Sequence, residues 1–200
     1  RGPENEPAAA DVPTLSERVD VTMQDRVSNT RLYRTWVVPG LSHEDLVELN
    51  TAAQVLGGLD SSRLDRILVR DEQTAVSVSS SVLPFQRVSM FFVTVDVKPG
   101  EDVDAVSRRL DEIIADFLAN GPTTDEVQRV ATQTVAASFF NIEQVGGFNG
   151  KTVALANGTV LAGDPGFFRR NLLEYGTVTP EDVRTAGHRW LSRPVHALRI

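Results

Sequence analysis

Residues 88–119 read VSMFFVTVDVKPGEDVDAVSRRLDEIIADFLA, and two hydrophobic periods meet in them. The first ten positions are apolar on both faces, which suits a central strand covered on at least one side by helices. Lys98-Pro99-Gly100 is a turn. Beyond it the period lengthens: Val103, Val106, Leu110, Ile113, Ile114, Phe117 and Leu118 fall on one helical stripe, while Arg108, Arg109, Asp111, Glu112 and Asp116 lie off it. A helix over 103–119 should therefore lay its stripe on a sheet whose strands run near Val76 and Phe91.

Upstream, Val76, Val78 and Val82 alternate with Ser77, Ser79 and Ser81, a half-buried strand ended by Pro84. RLYRTWVV at 31–38 sets Leu32, Trp36 and Val38 on one face and Tyr33, Thr35 and Val37 on the other, and RVDVTMQDRV at 18–27 alternates weakly. Both read as strands. Between the pairs, Ser42 with Asp45 marks a helix start before Leu46, Leu49, Ala53 and Leu56, Gly57-Gly58 closes that helix, and Asp60 is placed to cap a short second one carrying Leu64, Ile67 and Leu68.

Downstream, Asn120-Gly121-Pro122 stops the 103–119 helix, and Thr123 with Glu126 forms a capping box for a longer one to about Val145. Shorter helices are expected over 148–156, over 165–175 with Asp164 as cap, and over 180–191 with Thr179 as cap, before Pro194 admits a last strand at 196–200. The order is α+β with an antiparallel-rich sheet covered by helices. Residues 1–15, with three prolines and little apolar surface, read as a linker, and 16–200 as one domain cut from a longer polypeptide.

The 200 residues are 41% hydrophobic and 24% charged, enough for one core without a disulfide or structural metal. The absence of cysteine excludes thiolate catalysis and every Cys-ligated metal centre. A net charge of −7 argues against a partner tracked through its phosphates, so no nucleic-acid partner is expected. No run of 18 apolar residues is present, so no membrane-spanning helix is expected either.

The chain has three histidines. His43 is followed by Glu44, but Val47 defeats both HExxH and its inverted form, and His188 and His196 straddle a helix end and a proline. Ser77, Ser79, Ser80 and Ser81 lack a G-x-S-x-G elbow, and they read as the polar face of a strand. Gly146-Gly147-Phe148-Asn149-Gly150-Lys151-Thr152 misses the phosphate-loop pattern by one residue, at Val145, and follows a helix where such a loop follows a strand; nucleotide binding would rest on it alone. The acidic pairs Asp71-Glu72, Glu101-Asp102 and Glu181-Asp182 sit at turns or first helical turns. No residue is assigned a catalytic, cofactor-binding or metal-ligating role.

Seven segments, taken in order, resemble one family: RTWVVPGL at 34–41, LGGLDSSRL at 56–64, Leu68-Val69-Arg70 through Ala75-Val76-Ser77-Val78, Lys98-Pro99-Gly100, Gly121-Pro122-Thr123, GGFNGK at 146–151, and TPEDV at 179–183. They look like the zinc metallopeptidases of the pitrilysin/insulinase family, and more narrowly the second, inactive domain that follows the zinc-binding domain. The resemblance covers about residues 16–200. It implies a non-catalytic domain of a bacterial zinc-dependent endopeptidase, packed on a zinc-bearing domain that carries HxxEH and a downstream glutamate, the two walling a chamber that encloses peptides. Zinc would belong to that other domain, of the same chain or a partner chain, and the compartment implied is the periplasm, with the cytoplasm as alternative. In the supporting version of the domain an Arg and a Tyr seven residues apart help hold the peptide. Aligned on Glu72-Gln73, those places hold Val69 and Val76 here, which fits a domain from the zinc-bearing half. The alternative implied is a structural core-type subunit of a complex without peptidase activity.

Overall fold

A computed structural model describes residues 11–143 and 150–200, the side chains of 140–143 excepted. The sheet comprises β1 (Val19–Thr22), β2 (Arg31–Pro39), β3 (Ala75–Leu83), β4 (Val88–Val97) and β5 (His196–Arg199), in the spatial order β1-β5-β2-β4-β3. All neighbours are antiparallel except β1 and β5. β2 and β4 pair along their lengths, with Trp36 opposite Phe91 and Leu32 opposite Val95. One face is closed: Leu32, Trp36 and Val38 of β2 and Phe91, Val93, Val95 and Val97 of β4 are buried, and the rings of Trp36 and Phe91 meet edge to face. The fold is thus the α+β arrangement expected, with an antiparallel-rich sheet under helices.

The helices are α1 (Leu46–Ala53), α2 (Val103–Asn120), α3 (Thr124–Glu143), α4 (Lys151–Leu161), α5 (Phe167–Glu174) and α6 (Pro180–Leu191), with π-helical segments at Gln54–Gly58 and Asp65–Asp71. α2 buries Val106, Leu110, Ile113, Ile114 and Phe117 in the same cluster as Phe91, while Val103 and Leu118 flank that stripe half-buried. Each such side chain contributes roughly 1.5–3 kcal/mol on leaving water. Asp102 caps the helix, accepting from the backbone N–H of Asp104 (2.9 Å) and Ala105 (3.1 Å). α2 is tied to the sheet by Arg34, only 2% exposed, whose guanidinium donates to Asp111 (2.7 Å), to the Ser107 hydroxyl (2.7 Å) and to the Tyr33 carbonyl (3.1 Å). A buried cation satisfied on so many donors costs little where an unpaired one would cost several kcal/mol.

Several expectations need correction. Val76 does not face the core: a bulge between Ala75 and Ser77 turns it out, 51% exposed, and Ser80 takes an inward place among Val78 and Val82. The first strand is four residues long and not ten, pairing with β5 from Val19 to Thr22 before the Met23 N–H closes the ladder on the Arg199 carbonyl. α1 begins at Leu46 and not after Ser42, since Asp45 spends its carboxylate elsewhere. Ser62, not Asp60, caps the segment carrying Leu64 and Leu68, its hydroxyl accepting from the Asp65 N–H (3.4 Å). α4 starts at Lys151 and runs through Gly158, where a Cβ would come within 2.6 Å of the Asp164 carbonyl as the following turn folds back. Residues 148 and 149 of the helix expected over 148–156, and the end expected for α3 near 145, lie outside the described residues. Asp164 holds the turn at Gly166 (2.7 Å), ahead of an α5 that opens at Phe167. The box at Thr123/Glu126 forms and Thr179 caps α6 as expected, and Asp182 completes a second box there that the sequence reading did not include.

Candidate functional site

The chemistry-bearing residues are dispersed. His43 lies in the turn before α1, its Nδ1 accepting from the Asp45 N–H (3.0 Å) and its ring edge-on to Trp190. Asp45, 8% exposed, accepts from Trp190 Nε1 (2.6 Å) and Arg189 (2.8 Å), so this cluster fastens α6 to α1. His188 is exposed near the end of α6, and His196 opens β5 opposite Thr35. Among the described residues no group of three or more His, Cys, Asp or Glu side chains is placed to hold a metal ion.

Ser77 and Ser79 look outward and spend their hydroxyls on Asp96 (2.8 Å) and Thr94 (2.6 Å) of β4. Ser80 is 3% exposed, against Gly57, and its Oγ has no hydrogen-bond partner among the described residues. Of the glycine-rich 146–152 segment, 146–149 lie outside the described residues; Gly150 precedes α4, whose first turn holds Lys151 and Thr152. Val69 is half-buried against the core and Val76 is exposed, so the two places that hold Arg and Tyr in the supporting version are apolar. The acidic pairs serve structure: Asp102 and Asp182 cap helices, and Glu72 binds Arg109 (2.8 Å).

An open groove of about 890 Å³ runs between Asp65–Asp71, the second half of α2 and the start of α3. Its charges largely answer one another. Arg63 grips Glu126 through two bonds (2.8 and 2.9 Å) and the Gly121 carbonyl (2.8 Å), and Arg109 bridges Glu72 and Glu112. Burial alone would raise the Glu126 carboxyl, but the Arg63 and Thr123 hydrogen bonds outweigh it and hold the group down at about 2.

The surface that remains open is the second face of the sheet. Tyr33, Thr35 and Val37 of β2 and Phe92 and Thr94 of β4 are only half-buried there, and Met90 (40% exposed) and Leu83 (47%) are more open still. The two rows of β2 are legible in the sequence, but the row that stays uncovered is not, because both contain apolar residues. This face, which also bears His196 opposite Thr35, can dock a surface.

A family described as the peptidase M16 inactive domain matches residues 1–134. A protease from Helicobacter pylori shares the fold with a TM-score of 0.83 at 17% identity, covering 94% of this chain and 44% of that one. The periplasmic protease PqqL from Escherichia coli follows with 0.72 at 16%, covering 93% and 21%. A chain of complex III2 from Candida albicans gives 0.72 at 14%, covering 91% and 45%. The chain therefore spans less than half the length of each of these structures. No curated protein matches it significantly. With residues 1–134 matched, the chain belongs to the peptidase M16 inactive-domain family, the peptidase group that its seven ordered segments resemble.

Proposed function

We propose that the chain is the non-catalytic domain of a zinc-dependent endopeptidase, packing on the zinc-bearing domain and forming part of the wall of a peptide-enclosing chamber. The family match carries this reading, and the half-open sheet face supports it as a docking surface. Zinc would be held by the other domain and would supply the activation of water there; this chain's part would be to hold that domain in register. Residues 1–15 would be the linker joining the two and 16–200 the domain itself, with Thr14 accepting a hydrogen bond from Arg193 (3.0 Å) where the linker meets the fold. The periplasm is the compartment proposed, supported by the likeness to PqqL. Among the described residues no helix is long and apolar enough to cross a membrane.

A second reading, a core-type subunit without peptidase activity, is favoured by the likeness to a complex III2 chain. The natural gene separates the two: the first reading expects HxxEH in the accompanying domain, the second expects none. With that domain present, peptide hydrolysis should be abolished by a chelator. The 200-residue chain alone should cleave nothing, also after Val69→Arg with Val76→Tyr, because positioning groups cannot replace a metal-bound water. Chelator-sensitive hydrolysis by the purified chain, or one tightly held zinc lost on His43→Ala, would overturn the proposal.

A further inference from the structure

β3 is the last strand on its side of the sheet, and its outer edge is unusually receptive. Its nine residues, AVSVSSSVL, pair with β4 on one side only, and among the described residues no other backbone group bonds to them. Every second residue therefore turns an N–H and a C=O outward, as an antiparallel ladder requires. Edge strands are ordinarily protected by charge, proline or a covering element. Here there is no charge and no proline from Ala75 to Leu83. The one irregularity, the bulge at Ala75/Ser77, is at the far end.

The sequence of this edge is also symmetric. Val78-Ser79-Ser80-Ser81-Val82 reads the same in both directions. Antiparallel pairing about Ser80 sets Val78 against Val82, Ser79 against Ser81 and Ser80 against itself, keeping like faces together as the strand period demands. The nearest charges beyond the strand are acidic at one end, Asp71 and Glu72, and basic at the other, Arg87. An antiparallel copy brings acid toward base twice. Ser80 itself points inward, 3% exposed and packed against Gly57, so the pairing rests on the backbone groups of the edge and on the outward-facing Ser79 and Ser81.

We propose that a second copy of this chain adds to the free edge of β3 across a two-fold axis at Ser80, making one continuous ten-stranded sheet from two five-stranded ones. The occupant is a copy and not an unrelated segment because the edge is complementary to itself in pattern, in small side chains and in end charge. The inference is independent of the peptidase reading, and its test leaves that reading untouched.

Sedimentation equilibrium of the 200-residue chain over a wide concentration range should show a monomer–dimer equilibrium. Ser79→Lys with Ser81→Lys places lysine against lysine across the axis on the outer face and should weaken association at least tenfold. Ser79→Lys with Ser81→Glu sets lysine against glutamate twice and should restore it. Both variants should melt within a few degrees of the parent, since neither touches the core. A chain that stays monomeric at the highest concentration overturns the proposal, and so does a dimer indifferent to both variants. A dimer lost equally in the Lys/Lys and Lys/Glu variants also overturns it, because the register would then be wrong.

Discussion

The part of the molecule built on the sheet and the lobe formed by α4 and α5 are made of similar helices, yet they are held differently. α2 sinks five large side chains into the core, and α6 sinks Val183, Trp190 and Leu191. α4 buries only Gly158 and α5 buries nothing, leaving Leu155, Val160 and Leu173 between 51% and 70% exposed. By its amphipathic pattern α5 resembles α6, so pattern alone does not say how much a helix buries. What separates them is the surface each one meets: α6 rests on α1, α2 and β2, whereas α4 and α5 rest chiefly on each other. A helix with little tertiary contact keeps little of its stability from packing.

The sharpest way to break that contrast is a charge in each region. Ile113→Asp would bury an unpaired carboxylate under α2 and should cost about 3–5 kcal/mol, abolishing a cooperative melt or lowering the midpoint by many degrees. An unchanged melting temperature would show that the stripe is not core.

Two further tests probe the ties around these regions. Glu126, gripped by Arg63, helps anchor the start of α3, and its folded pKa of about 2 lies below the usual 4.5. A depressed carboxylate stabilises the fold fully above its unfolded pKa and loses that contribution as pH falls through the folded one. Stability should therefore drop by about 2–3 kcal/mol between pH 5 and pH 2 on this account, and Glu126→Gln should remove that part of the acid sensitivity, as urea titrations at a series of pH values can show. At the seam where α5 ends, Glu48 of α1 has a buried Oε2 without a partner among the described residues. Burial, with Asp45, Asp182 and Glu174 nearby, pushes its carboxyl up, and the neighbouring Tyr175 is pushed up to about 12 by burial and by Glu48. The sign is the reverse of Glu126: the ionised form is the disfavoured one, so the penalty is complete above the folded pKa and fades as pH falls through it. Glu48→Gln should stabilise the chain by about 1 kcal/mol at pH 7, and by less in acid.

The smallest effect is expected in the lobe. Val160→Asp, at a position 70% exposed, should change stability by less than about 0.5 kcal/mol. A loss approaching that of Ile113→Asp would mean that α4 carries buried surface in solution, and the contrast between the two regions would fall.

Much of the fold was legible because local physics specifies it. The seven apolar positions of β4, the stripe of α2, the box at Thr123/Glu126 and the cap at Thr179 each satisfy their own periodicity or their own backbone donors within a few residues. The family, too, is carried by short ordered segments. The misplacements have distant causes. Asp45 reads as part of a helix start, and only α6, brought alongside α1, claims its carboxylate for Trp190 and Arg189. Val76 reads as core because its alternation is correct, and a one-residue bulge against β4 reverses it. Arg34 gives no hint of being buried until α2 delivers Asp111 and Ser107 to it.

The sequence by itself determined the element types, the one-core α+β class and the absence of cysteine chemistry, since these depend on residue type and spacing alone. Tertiary structure decided which sheet face is covered, which edge is free and which polar groups find partners. Those outcomes depend on elements far apart in the chain arriving at the same place, and no local pattern records that meeting.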